Sequence, residues 1–213
     1  MSDALDLTVM DAVHGALRRD LARLDRVTTA ADCDPVRVLT TAAGWPLFKR
    51  ALRAHHASED DALWPSLRLH LAGRPKDLGL LEVMEAEHAA VAAVIQAIDE
   101  VLAVPRGDSL RLGQLTDALA RGLAGHLEHE EDMVFPLIRR TLTAQQWAHF
   151  SQVHARHISR DAPVLLPWLL DGAGEPTAAR LLAQLPATVY AACTTEWLPA
   201  YAALDRWGPG ITA

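Results

Sequence analysis

The chain has 213 residues, half of them hydrophobic and 22% charged, with a formal net charge of -7. That length supports one large core, or a domain with an appendage. The acidic balance, with arginines scattered among acidic neighbours, excludes a nucleic-acid partner, which would need a basic face. No run approaches the roughly 18 apolar residues of a membrane span, so no membrane partner is expected. The acidic opening Met1-Ser2-Asp3-Ala4-Leu5-Asp6 lacks the charged-then-apolar layout of a signal peptide. Cys33 and Cys193 stand far apart in no metal-like spacing, which reads as structural thiols in a reducing, cytoplasmic setting.

Apolar residues recur at steps of three and four, the mark of amphipathic helices, and no strand or hairpin signal interrupts them. In the first segment Leu7, Met10, His14, Leu17, Leu21 and Leu24 form one stripe. The second opens at Asp34-Pro35, an N-cap residue followed by a proline suited to the first helical position. Pro46 should kink or restart it, its stripe runs Phe48, Leu52, His55, Glu59 and Ala62, and Pro65 marks its expected end. The third follows Gly73-Arg74-Pro75, with Leu81, Met84, His88, Val91, Ile95, Ile98 and Leu102, and stops before Pro105-Arg106-Gly107. The fourth starts near Asp108 or Ser109 and carries Leu112, Leu115, Leu119, Gly122, His126, Glu130, Met133 and Leu137. Short connections make an all-α, up-down-up-down four-helix bundle the expected fold.

Six polar residues sit within these stripes: His14, His55, Glu59, His88, His126 and Glu130. A lone histidine on an apolar face is more often a satisfied core residue than a ligand. Four histidines and two glutamates at matching heights are another matter, because unpaired buried carboxylates cost several kcal/mol. The i, i+4 spacing puts His55 beside Glu59 and His126 beside Glu130. Imidazole with carboxylate suits iron, manganese or zinc, and two bridging carboxylates favour a dinuclear site.

The halves of this segment repeat. Met10-Asp11-Ala12-Val13-His14 echoes Met84-Glu85-Ala86-Glu87-His88 at an offset of 74, and the stretch from His55 to Pro65 echoes that from His126 to Pro136 at an offset of 71. Each half supplies one lone histidine and one His-x-x-x-Glu pair. Two helical hairpins closing on each other would give an approximate twofold axis through the metal pair.

With these motifs the sequence resembles the hemerythrin-like, or HHE cation-binding, family over about residues 5 to 140. The resemblance implies a four-helix bundle holding two non-haem iron ions bridged by both carboxylates. Oxygen-carrying members have a further histidine one turn after the lone histidine of the third helix, where this chain has Ala92, and a differently spaced aspartate where it has Glu130. Four histidines shared equally give each iron two nitrogens. Two carboxylate bridges and one solvent-derived oxo or hydroxo bridge bring each to about five ligands, leaving open positions. Redox reaction or sensing of O2, peroxide or NO, including catalase-like turnover, is therefore expected rather than reversible oxygen carriage.

His56 and His129 flank the ligands but lie off the stripe, so solvated or supporting roles are expected. Asp60, Asp61, Glu128, Glu131 and Asp132 read as a solvated acidic rim from which one residue could orient a ligand imidazole. Glu85-x-x-His88 matches the ferritin-like signature, but the second copy is missing because Leu123 stands three residues before His126. No Ser-His-Asp set, phosphate loop or zinc-type cysteine spacing is present.

Residues 141–213 are expected to form a helical extension packed on the 1–140 bundle. Thr143-Ala144-Gln145-Gln146 reads as a capping box opening a fifth helix. Its His149, His154 and His157 have no carboxylate partner on their face and read as structural. One or two further helices should follow around Leu166-Pro167-Trp168 and Glu196-Trp197-Leu198-Pro199. Their aromatic residues could cover a bundle face, form a homodimer contact or bind a partner. The alternative function is a non-enzymatic iron or redox sensor, or storage module, signalling through these helices; a third, blander reading is that the site holds zinc, or no metal, and serves structure alone.

Overall fold

The computed structural model describes residues 5–30, 34–104 and 107–208; Cys33 lies outside them. The protein is all-α, and no strand forms among the described residues. Helix α1 (Thr8–Thr29) is followed by the short α2 (Pro35–Thr41), whose Asp34 cap accepts a bond from the Arg37 N–H. The chain breaks at Ala42 and restarts as α3 (Gly44–Ser58), so Pro46 sits in the first turn of a new helix. Helix α3 runs through a π turn, Glu59–Leu63, into α4 (Trp64–His70). Helix α5 (Pro75–Leu102) opens on its proline. Helix α6 (Ser109–His129), capped by Asp108, continues through a second π turn, Glu130–Val134, into α7 (Phe135–Thr141).

Contrary to the expectation from sequence, Pro65 does not end its helix, and the π turn is the reason. A proline cannot donate backward, and its ring clashes with the carbonyl four residues before it. In the wide turn the Trp64 N–H reaches five residues back to the Glu59 carbonyl, and Phe135 does the same to Glu130. This displaces the carbonyls that would oppose Pro65 and Pro136. The extra residue also corrects the fourth stripe: Met133 is exposed and Val134 is buried in its place. About three turns earlier Leu123, not Gly122, faces inward.

Four long segments (α1, α3–α4, α5 and α6–α7) make the bundle, with α6 packed closely on both α1 and α5. Its interior is two apolar clusters. One gathers Val13, Leu17, Leu52, Val91, Leu119 and Leu123. The other gathers Met10, Leu63, Trp64, Met84, Val134 and Phe135.

The extension holds more helices than expected: α8 (Ala144–Ile158), α9 (Ala162–Leu170), α10 (Glu175–Ala183), α11 (Ala187–Ala192) and α12 (Leu198–Ala202), the last two joined by a π turn, Cys193–Trp197. The Thr143–Gln146 capping box is present. Trp147, Trp168 and Trp207 are all buried, so these aromatic side chains cover the bundle. Cys193 is buried as well. The chain finally returns to the start of α3, where the Gly44 N–H donates to the Arg206 carbonyl at 2.6 Å. A Cβ at Gly44 would collide with that carbonyl and with the Trp207 ring.

One polar network ties the extension to α1. Buried Asp20 accepts from Trp168 Nε1 at 2.7 Å and from Arg23 at 3.1 Å, and Arg23 also donates to Asp171 at 2.9 Å. Arg19 donates to the Trp168 and Asp171 carbonyls. Removing one member of a buried ion pair strands its partner. Asp20→Ala should therefore destabilise the metal-free chain by about 3 kcal/mol in urea unfolding; a loss within experimental error would show that apolar packing alone holds the extension.

Candidate metal centre

The six predicted residues converge in one layer between the two apolar clusters, and all six are buried. His14 comes from the second turn of α1, His88 from mid-α5, and His55 and His126 from the last turns of α3 and α6. Glu59 and Glu130 each open a π turn, one helical turn beyond the histidine with which they were paired in sequence. The distortion of both helices thus falls at the two carboxylates, a common location for π turns at functional sites.

His14 Nε2 lies 3.2 Å from Glu130 Oε2 and 3.1 Å from His55 Nε2. Glu59 reaches two ways: Oε1 is 3.3 Å from His55 Nδ1, and Oε2 is 3.3 Å from His88 Nε2. Two groups have ligand atoms lying within 4.8 Å of one another: His14, His55 and Glu130, and His56, His88 and His126. His56 was not among the expected ligands.

The outward nitrogens have carboxylate partners. His14 Nδ1 donates to Glu131 at 2.8 Å, His126 Nδ1 to Glu87 at 2.9 Å, and His88 Nδ1 is 3.3 Å from Asp60. Arg18 holds Glu131 with two bonds of 2.7 and 3.0 Å. His129, outside the layer, donates to the other oxygen of Glu87 at 3.0 Å. Glu131 and Asp60 belong to the acidic rim expected from sequence. Glu87 was missed, although it directly precedes His88: its partner lies on α6, and no spacing within α5 reveals that. Glu85 instead pairs with Arg68, which removes it from the site and leaves the ferritin-like match without substance. The α8 histidines also diverge. His157 finds a carboxylate on another segment, Asp61 at 2.9 Å, whereas His154 faces an apolar cavity of about 680 Å³ between α1, α8, α9 and α10.

Burial sets the charge states in the absence of metal. His55 and His56 are pushed well down by burial, then by neighbouring imidazoles, and His88 is pushed down by burial and then by His126. Their ring nitrogens therefore keep free lone pairs at neutral pH. Burial, followed by repulsion from Glu130, pushes Glu59 well up. Burial acts the same way on Glu130, but His14, then His126 and His88, hold it down. His14 is the exception among the imidazoles: burial opposes its charge, yet Glu130 and Glu131 outweigh burial and raise it to about 9.

Several buried atoms in the layer have no hydrogen-bond partner: His88 Nε2, His126 Nε2, and both oxygens of Glu59 and of Glu130. Isolated buried carboxylates are too costly for a marginally stable domain unless something compensates them. A cation is the group that inward imidazole nitrogens and carboxylate oxygens would jointly satisfy, and carboxylates holding the outer nitrogens are its usual support. The residues present therefore fit a metal.

Fold and site together define a cation-binding helical bundle. The family model of the hemerythrin HHE cation binding domain matches residues 5–138, and the chain belongs to that family. No curated protein and no solved structure matches it. Among the described residues no helix is long and apolar enough to cross a membrane.

Two outcomes follow for solution work. In the metal-free chain the folded His14 lies near 9 against 6.5 for the free side chain. Its contribution to stability is thus fully present below pH 6.5 and is lost as pH rises through about 9. The urea midpoint should fall across that window in the native sequence and change less in His14→Gln. Glu87→Gln should weaken metal binding roughly 10- to 100-fold in chelator competition; unchanged affinity would mean that packing alone orients His126.

Proposed function

We propose that the layer binds two non-haem iron ions and that the protein reacts with, or senses, a small oxidant or gas: O2, peroxide or NO. The observation that carries this reading is the placement of Glu59, which turns one oxygen toward His55 and the other toward His88. A carboxylate reaching two histidine groups suits two ions better than one, and the mixed nitrogen and oxygen donors suit iron. His14, His55, His88 and His126 would be terminal ligands, with Glu59 and Glu130 between the ions. Bound iron would supply a redox couple and open positions for a small molecule.

The protein's own contribution is to hold, admit and exclude. Glu131, Asp60 and Glu87 fix the rings of His14, His88 and His126. A cleft of about 900 Å³ runs between α3 and α5 and is floored by His56, Asp60 and His88, with Ala89 and Ala92 on its wall. A small molecule would approach along this cleft. The α3 flank away from it is covered by α8, which packs on α3 and on the Glu59 π turn.

The same α8 contact supports a second reading. Because α8 touches the turn that carries Glu59, metal loading or oxidation could be relayed to residues 141–213, making the protein a sensor or store. Metal-dependent protease sensitivity of that segment would favour this version.

The first test is metal content after anaerobic ferrous loading, with visible absorption followed during titration with hydrogen peroxide. About two irons per chain and a ferric spectrum that develops with peroxide are expected. Retention of fewer than two ions, or of zinc alone, would overturn the two-iron reading.

A further inference from the structure

His56 follows His55 at the end of α3 and lies off the apolar stripe, which is why sequence assigns it no inward role. The structure nevertheless turns its ring into the layer. It stacks on His88 with centroids 3.7 Å apart and planes inclined by 8°, and it meets the His126 ring edge-on at 5.3 Å. Its Nε2 is buried without a hydrogen-bond partner. One nitrogen each from His56, His88 and His126 falls within 4.8 Å of the other two, the same closeness found among His14, His55 and Glu130.

Successive residues on a helix diverge by about 100°, so His55 and His56 cannot share one inward direction. A pair of ions, however, occupies two directions. Helix α3 can offer His55 to one position and His56 to the next.

We propose that His56 is a metal ligand and that the two positions are unequal. One takes His14 and His55; the other takes His56, His88 and His126, with Glu59 and Glu130 between them. This rests on the two-ion reading above. The three-histidine position also lines the α3–α5 cleft through His56 and His88, so an incoming molecule would meet that ion first.

The test is chelator competition on the full chain loaded with zinc or ferrous iron, comparing the native sequence with His56→Ala, His56→Phe and His14→Ala. Phenylalanine keeps a ring against His88 and removes only the nitrogens. Both His56 variants should release one of the two ions at least about tenfold faster and leave the other unchanged. His14→Ala should accelerate the other release phase. A His56→Phe chain that keeps both ions at native rates would overturn the assignment. Should the variants fail to fold, ¹⁵N-histidine spectra of the zinc-loaded native chain decide: five metal-bound imidazoles support the proposal, and four overturn it. A native chain that holds fewer than two ions removes both this assignment and the reading beneath it.

Discussion

Everything in this bundle answers to one constraint: a layer of imidazoles and two carboxylates buried between two apolar clusters. Two unpaired carboxylates in such surroundings would cost more than a domain's usual margin of stability allows. The fold meets that cost from both sides. Outward nitrogens are held by Glu131, Asp60 and Glu87 at the rim. Inward atoms converge on each other, leaving His88, His126, Glu59 and Glu130 to be satisfied by a cation.

The helices are deformed to suit the layer. Each glutamate opens a π turn, and the second residue beyond each turn is a proline, Pro65 or Pro136. The Cys193–Trp197 turn has Pro199 in the same relation but, among the described residues, brings no ligand-type cluster with it. The wide turn with its trailing proline is thus a backbone solution that this chain uses generally. Only in the bundle halves does it coincide with a buried carboxylate. The coincidence matters because a π turn shifts the register by one residue, which sends Val134 rather than Met133 into the core beyond Glu130.

The two sides of the layer differ in access. On one side α8 covers α3 and the Glu59 turn, and the Asp20–Arg23–Asp171 network anchors the rest of the extension to α1. On the other, α3 and α5 stand apart over a cleft that reaches His56 and His88. The sequence repeat would make the halves equivalent. The extension, which packs on one flank, and His56, which has Leu127 as its counterpart in the second half, make them different.

The sequence by itself determined the helices and the layer. A period of three to four residues identifies the four long segments, and six polar residues interrupting apolar stripes identify the inward-facing set, because burial of such groups needs a reason. Asp34, Asp108 and Thr143 mark helix starts through local cap chemistry that requires no distant contact. Tertiary structure alone decided which neighbours those residues meet. Glu87 reaches His126 across a helix boundary, His157 finds Asp61, and Pro65 lies within a continuing segment because a wide turn makes room for its ring. His56 is the sharpest case. Stripe analysis assumes one inward direction per helix, and where α3, α5 and α6 meet around this layer there are two.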